Sequence, residues 1–425
     1  MTEPDSFSRV TRRRLGRRFG WLWGAYAVST YGTWLGFGAF QYIAITVLKA
    51  GPSAVSGMLA VGTAAGALVA VPLGPWMEFR RKRPVMIAMD LTRLAVLATI
   101  PVAYWLGWLS LAQMMIVSAV DAAADIAFTS ASGAYLKQIV SPGDLLAANG
   151  RLSSVMWSSS VIGPPLGGAA IGIFGPTVTV LADAVSFGLS ALGLTAIGDR
   201  EPTPSRPNGS SLTATRPGLR SRLADIAAGW RYILGHPVLR YVFANSVCTS
   251  ALILGTEPLI ATEMLGRFGF AAWQYSLAFA VPCVGGVAGS RLARPLAARF
   301  GRRPVMLVSG TLGACFPIGM ALMRPGVAGL VIVMAVQLCV ITSMGVFSPL
   351  MATYRLELAP DDVVARVLSA WTVTKNLTLA AVTMLWGVLA TLTSPLTGIV
   401  AAGVLLLGTP LLLRSGLAAA GRPAN

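Results

Sequence analysis

Apolar residues along this chain come in long blocks, and most of the charge falls in the stretches between them. The blocks run near 19–48, 55–75, 85–107, 109–135, 151–174 and 177–197, and again near 238–261, 273–293, 304–323, 327–353, 367–390 and 394–414. A helix needs about 20 mostly apolar residues to cross a bilayer. The pattern therefore predicts an all-α membrane protein of twelve transmembrane helices, six on each side of a central interruption. That interruption, 198–236, begins with linker composition rich in Pro, Ser, Thr and Gly. From about Leu219 the spacing of Leu223, Ile226, Ala227, Trp230 and Ile233 becomes helical, with Arg220, Arg222 and Arg231 between them. This reads as a basic amphipathic helix at the membrane surface, with a partner-binding helix as the alternative. The expected organisation is a basic terminus (1–18), a six-helix half (19–197), the linker (198–236), a second half (237–415) and a tail (416–425).

Composition sharpens the class. Of 425 residues, 55% are hydrophobic and 12% charged, about half the charge of a soluble domain. A soluble enzyme, a disordered chain and a single-anchor protein are excluded on this ground. The net charge of +17 could signal nucleic acid or a membrane surface. Its distribution favours topology and gives no role to nucleic acid. With the N-terminus inside, 28 of the 33 Lys and Arg residues fall on the inner side, and only Lys49, Arg267 and Arg324 fall outside. Both termini are expected in the cytoplasm, in the plasma membrane. The basic 1–18 stretch runs straight into a long apolar span, so it reads as an uncleaved first helix rather than a signal peptide.

Metal and hydrolytic chemistry have little raw material. The four cysteines (Cys248, Cys283, Cys315, Cys339) stand singly in apolar runs, and His236 is the one histidine. No C-x-x-C, His-Glu-x-x-His or Gly-x-Ser-x-Gly occurs. No metal, cofactor or enzymatic activity is expected.

The two halves repeat. At an offset of 220 residues, Lys82-Arg83-Pro84-Val85-Met86 aligns with Arg302-Arg303-Pro304-Val305-Met306, each between the second and third spans of its half. These loops carry a resemblance to the major facilitator superfamily of secondary transporters, whose signature is G-x-x-x-D-R-x-G-R-R/K. The first copy has Gly74, Glu78, Arg80, Lys82 and Arg83, with Glu78 at the family's Asp. The second keeps Arg299, Gly301, Arg302 and Arg303, with Ala298 at the acid position. In the fifth span, Gly163-Pro164-Pro165-Leu166-Gly167-Gly168 resembles the G-P-x-x-G-G motif of the family's antiporters. Leu145–Ser190 is similar to the exporter branch that includes siderophore and macrolide efflux proteins. Trp371-Thr372-Val373-Thr374-Lys375-Asn376 is similar to that branch's W-T-x-x-N stretch, with Lys375 where a neutral amide is usual. The resemblance implies twelve helices, alternating access and proton-coupled export, with the proton gradient as driving force. Each glycine motif also has a packing reading, since small residues let membrane helices approach closely. Glu78 beside Arg80–Arg83 reads as an ionic latch between helices; ordinary topogenic charge is the plainer alternative.

Charge inside a span is costly, so it marks sites. Asp90 and Arg93 share a face of the third span, and Asp121 and Asp125 share one of the fourth. Antiparallel spans bring these to similar depth, where two carboxyls with one nearby cation can share a proton. Asp90 and Arg93 pairing only with each other is the plainer alternative. In the second half, Glu257 precedes Pro258 in the seventh span, and Lys375 and Asn376 lie about three turns into the eleventh, so a Glu257–Lys375 pair is conceivable. Asp183 is read as a helix-interface hydrogen-bonding group. The leading function is a proton-coupled, monomeric exporter of amphipathic small molecules such as drugs, siderophores or secondary metabolites. The alternatives are an importer of a sugar or organic acid and, from another class, a non-transporting membrane receptor.

Overall fold

The computed structural model describes residues 15–78, 80–141, 144–198, 219–358 and 363–419, and every regular element among them is helical. The first span is α1 (Gly16–Leu35), broken at Gly36–Gly38 and continued by a short helix, Ala39–Tyr42, and a π-helical turn, Ile43–Val47. Then follow α2 (Pro52–Glu78), α3 (Lys82–Trp105), α4 (Leu111–Ile139), α5 (Leu145–Phe174) and α6 (Pro176–Thr195). After α7 (Leu219–Gly235), the second half opens with α8 (Leu239–Leu254), again broken and continued by Glu257–Ala261 and a π turn, Thr262–Arg267. It closes with α9 (Ala272–Phe300), α10 (Arg302–Cys315, extended by a 3-10 turn to Leu322), α11 (Gly326–Leu358), α12 (Val364–Leu392), α13 (Pro395–Leu406) and α14 (Thr409–Ala419).

Nine of these segments are long and apolar enough to cross a membrane, and the bent pair formed by α7 and the α8 span brings the number to ten. The other two of the expected twelve are the α1 span and α5. Helix α1 carries Arg17 and Arg18 in its first turn, and α5 is diluted by Ser, Gly and Pro. Both are nonetheless packed into the bundle, α1 against α5 and α6, and α5 against α1 and α9. Close packing against protein, rather than lipid contact, explains why these two tolerate lower apolarity.

The sequence repeat is also a backbone repeat. Lys49 is the one non-glycine residue with positive φ among the described residues, at 53°, and Gly269 stands 220 positions later with φ of 66°. Around each, the same bonds recur: Leu48 N to Ile43 O at 3.0 Å and Ala50 N to Ala44 O at 2.8 Å, then Phe268 N to Glu263 O and Phe270 N to Met264 O, both at 2.8 Å. Glycine enters the left-handed region freely, while lysine pays for it. The first half therefore keeps the turn at some cost to its local backbone energy.

The apolar core is asymmetric along the bundle axis. At the end opposite the chain termini, one cluster joins both halves, from Ile43, Val55, Ile100 and Phe187 to Leu259, Tyr275, Met320 and Trp386. At the end where the termini lie, the halves have separate cores. One is built around Phe19, Leu22, Met86, Phe128 and Leu136, the other around Leu239, Met306, Val367, Trp371 and Leu413. The main helix contacts between halves are α2 with α12 and α5 with α9, and Glu257–Ala261 also touches α2 and Ala39–Tyr42. The molecule is thus closed at the far end and parted at the terminal end.

Helix α7 docks on its own chain. Ile233 is fully buried, Trp230 Nε1 donates to Thr374 Oγ1 of α12 at 2.8 Å, and Tyr232 Oη donates to the Leu358 carbonyl at 3.2 Å. The side chains of 219–226, including Arg220, Arg222 and Leu223, lie outside the described residues.

Candidate functional site

The charged residues of α3, α4 and α6 come together in one cluster. Arg93 Nε donates to Asp121 Oδ1 at 2.8 Å, Nη2 reaches Asp121 Oδ2 at 3.4 Å, and Nη1 donates to Asp125 Oδ1 at 2.9 Å. The guanidinium also lies 3.9 Å over the Phe187 ring of α6. A planar fork fits two carboxylates at once, and the aromatic face fixes its plane. The exposure is graded: the Arg93 side chain is 7% exposed, Asp121 28% and Asp125 54%. Asp125 is therefore the most exposed member of the bridge.

Two further acids surround this bridge. Asp90 is fully buried, and neither carboxyl oxygen has a hydrogen-bond partner among the described residues. The pairing of Asp90 with Arg93 alone, the plainer alternative, does not occur: Arg93 turns to α4 instead. Asp183 is buried one turn before Phe187, with Oδ1 unpartnered. It does not form the interface hydrogen bond expected of that oxygen. Gly32 and Gly36 of α1 lie against it, so closely that Cβ atoms there would stand 3.1 Å from its carboxyl oxygens.

Glu257 belongs to a different structure. Its Oε1 accepts from Tyr275 Oη at 2.8 Å and from Gln41 Nε2 at 3.3 Å, joining the two halves near the closed end. Phe37 stacks beside it on Tyr275 at a ring separation of 6.1 Å and meets Phe279 at a tilt, at 5.7 Å. Gly38, at φ of 78°, leaves room for the Tyr275 ring. A Glu257–Lys375 pair is therefore absent; Glu257 is engaged at the closed end. A cavity of about 150 Å³ links the two assemblies, running from Asp121 and Ser118 to Gln41 and Pro258.

Lys375 and Asn376 instead line a cavity of about 310 Å³ in the second half, with Ser246, Thr249 and Arg355. Asn245, just before it, donates to the Thr409 carbonyl at 2.9 Å and is structural.

The signature loops act on helix ends. Arg83 donates to the carbonyls of Leu194 and Thr195 at the C-terminal end of α6, and Lys82 Nζ donates to the Arg80 carbonyl at 2.8 Å. In the second copy, Arg302 pairs with Glu357 of α11 at 2.6 Å, and Gly301 takes φ of 85° at the turn that Arg299 precedes. Arg303 is engaged as well. Gly74 sits in the last turns of α2, and the Glu78 side chain lies outside the described residues.

The glycines of the fifth span divide their work. A Cβ on Gly163 would lie 2.8 Å from the Trp34 carbonyl carbon, and one on Gly167 would overlap the Leu35 carbonyl; both contacts are within the first half. Gly168 faces the other half, at Trp273 and Ser276 of α9. Pro164 remains inside a continuous helix.

Sequence reasoning missed Gln41, Tyr275, Glu263, Glu357 and Arg355. Glu263 is fully buried in the π turn with Arg267 at 3.4 Å, just past the expected end of its span. Arg355 was counted as loop charge. Gln41 and Tyr275 are uncharged, so only their partner Glu257 carried a signal.

The comparisons agree with this architecture. No curated protein sequence matches the chain. The fold is shared with the nucleoside transporter NupG at a TM-score of 0.73 and 12% identity, covering 96% of this chain and 100% of that one. A bacterial homologue of the iron transporter ferroportin in an inward-facing state gives 0.72 at 14% identity, covering 96% and 99%. A bacterial homologue of the human lysosomal transporter Spinster, inward-facing and unoccupied, gives 0.71 at 14%, again covering 96% and 99%. A family model described as Major Facilitator Superfamily matches residues 22–383, and the chain belongs to that superfamily of membrane transporters.

Proposed function

We propose that this transporter exports an amphipathic small molecule across the cell membrane in exchange for protons, by alternating access of a monomer. The observation that carries the reading is the Asp121–Arg93–Asp125 bridge with Asp90 and Asp183 beside it. Four carboxyl groups share one guanidinium in a membrane interior, and protons are the available means of neutralising the excess. Asp125, the most exposed of them, receives the proton. Protonation removes one of the two partners of Arg93, and the freed guanidinium changes how α3, α4 and α6 pack. A proton shifts access only if it binds one state better than the other, and a bridge whose exposure changes with opening supplies that difference.

The distribution of basic residues supports an orientation with both termini in the cytoplasm. The parted end is then the cytoplasmic end, and the Phe37–Tyr275–Glu257 closure is the outer gate. Glu78 would act as a latch at the inner face, on the loop whose second-half counterpart carries Arg302, the partner of Glu357. Export rather than import is favoured by the resemblance of Leu145–Ser190 to the exporter branch.

The test is transport by the purified chain in inverted vesicles, screening dyes and natural products with and without an imposed pH gradient. Accumulation that releases protons and collapses with a protonophore is expected. Cargo movement indifferent to the gradient would overturn the coupling.

A further inference from the structure

The cavity between α8, α11 and α12 holds two cations without a counter-charge among the described residues. Lys375 forms no hydrogen bond or ion pair among the described residues, and Arg355 makes only a cation–π contact with the Trp371 ring, its Cζ 4.7 Å from the centroid. The Arg355 Nε is buried and unpartnered. Both residues line the same cavity, near enough for their charges to repel. A third polar group points the same way: Thr249 is 8% exposed, lines the cavity, and its hydroxyl has no partner. Both side chains are partly buried, which disfavours their charge, and packing alone gives no reason to keep two cations here. One part of the wall, Phe347, Met344 and Met351, is apolar and adaptable, while Ser246, Ser250, Ser348 and Thr372 add hydroxyl groups elsewhere. At about 310 Å³ the space is at the small end of ligand pockets.

We infer that this cavity is the cargo site and that the cargo is an organic anion. Lys375 and Arg355 hold its carboxylate or phosphate group, Thr249 and Asn376 add hydrogen bonds, and the Met344–Phe347–Met351 wall takes its apolar body. The inference rests on the transport reading and deepens it. The first half presents acids to the gap and the second presents cations, so proton and cargo charge have separate walls.

Equilibrium binding to the full-length chain in detergent, corrected for empty micelles, tests this without any gradient. The probes are 1-naphthoate, 1-naphthyl phosphate, the neutral 1-naphthamide and the cationic 1-naphthylmethylammonium. Saturable binding of at least one anion, about tenfold tighter than the amide or the amine, is expected. Whichever anion binds more tightly identifies the head group. Lys375→Gln should weaken anion binding about tenfold and leave the amide unchanged, while Lys375→Arg restores it. The Lys375→Gln melting temperature should hold or rise, because an unpaired cation is removed. Amide or amine binding equal to both anions, no saturable anion binding, or an unaltered Lys375→Gln would overturn the assignment. Anion binding without proton-driven flux would defeat only the coupling reading.

Discussion

Gly168 of α5 lies so near Trp273 of α9 that a Cβ would stand 2.6 Å from the Trp273 Cα. That contact crosses between halves, whereas the Gly167 contact with Leu35 stays within one. The two glycines therefore fail differently. Gly167→Ala forces a methyl group into backbone that no rocking motion relieves, and overpacking of this kind costs about 1–3 kcal/mol. Its melting temperature should fall in every state. Gly168→Ala is relieved when the halves separate at the closed end. Spin-label distances across that end should lengthen in Gly168→Ala and stay unchanged in Gly167→Ala.

His236 sets a stability dependence on pH. Its Nδ1 accepts from the Val238 and Leu239 amides at 3.3 and 3.2 Å, capping α8. Burial holds its pKa below the ordinary value near 6.5. The folded state then binds fewer protons than the unfolded state, so this contribution is complete above about pH 6.5 and is lost as pH falls toward the folded pKa. His236→Asn accepts the same bonds without titrating. Its melting temperature relative to the parent should rise as pH drops from 7 to 5; parallel curves would show that the cap does not titrate.

These two sites show what pattern reading reaches. Long apolar blocks dictate membrane helices because the bilayer fixes their length, and the Lys82–Met86 repeat gave the halves. The Arg93 cluster was legible because intramembrane charge is rare and helical spacing sets its face. The closure around Glu257 was not, because Tyr275 and Gln41 look ordinary until the second half places Glu257 between them. Arg355 misled for a related reason: at a helix end, topogenic charge and a cavity wall have the same sequence signature. The breaks after α1 and α8 were also hidden, since Gly36–Gly38 and Gly255–Thr256 sit inside otherwise continuous apolar runs.

Orientation is tested by labelling. With the native cysteines replaced, Gly51→Cys lies just past the Lys49 turn at the closed end, and Ser210→Cys lies in the linker. An impermeant maleimide added to intact cells should label Gly51→Cys and reach Ser210→Cys only after permeabilisation. The opposite pattern would invert the topology and the direction of transport with it.

The coupling assignment gives the sharpest prediction, because Asp121 and Asp125 hold Arg93 unequally. Asp121 takes two of its nitrogens and is largely buried; Asp125 takes one and is half exposed. Asparagine mimics the protonated acid at each position. Asp125→Asn should therefore fold nearly as well as the parent, since a half-exposed ion pair contributes about 0–1 kcal/mol. It should bind cargo yet lose proton release and uphill export. Asp121→Asn removes a buried charge partner, leaving Arg93 undercompensated, and should lower the melting temperature as well as coupling. A structural role for the pair predicts the reverse: both variants lose stability, and the protein that folds still exchanges protons for cargo. The double variant settles the matter through proton release measured alongside export. Intact coupled export in Asp121→Asn/Asp125→Asn would remove α4 from the mechanism and leave Asp90, buried and unpartnered one turn from Arg93, as the acid to test next.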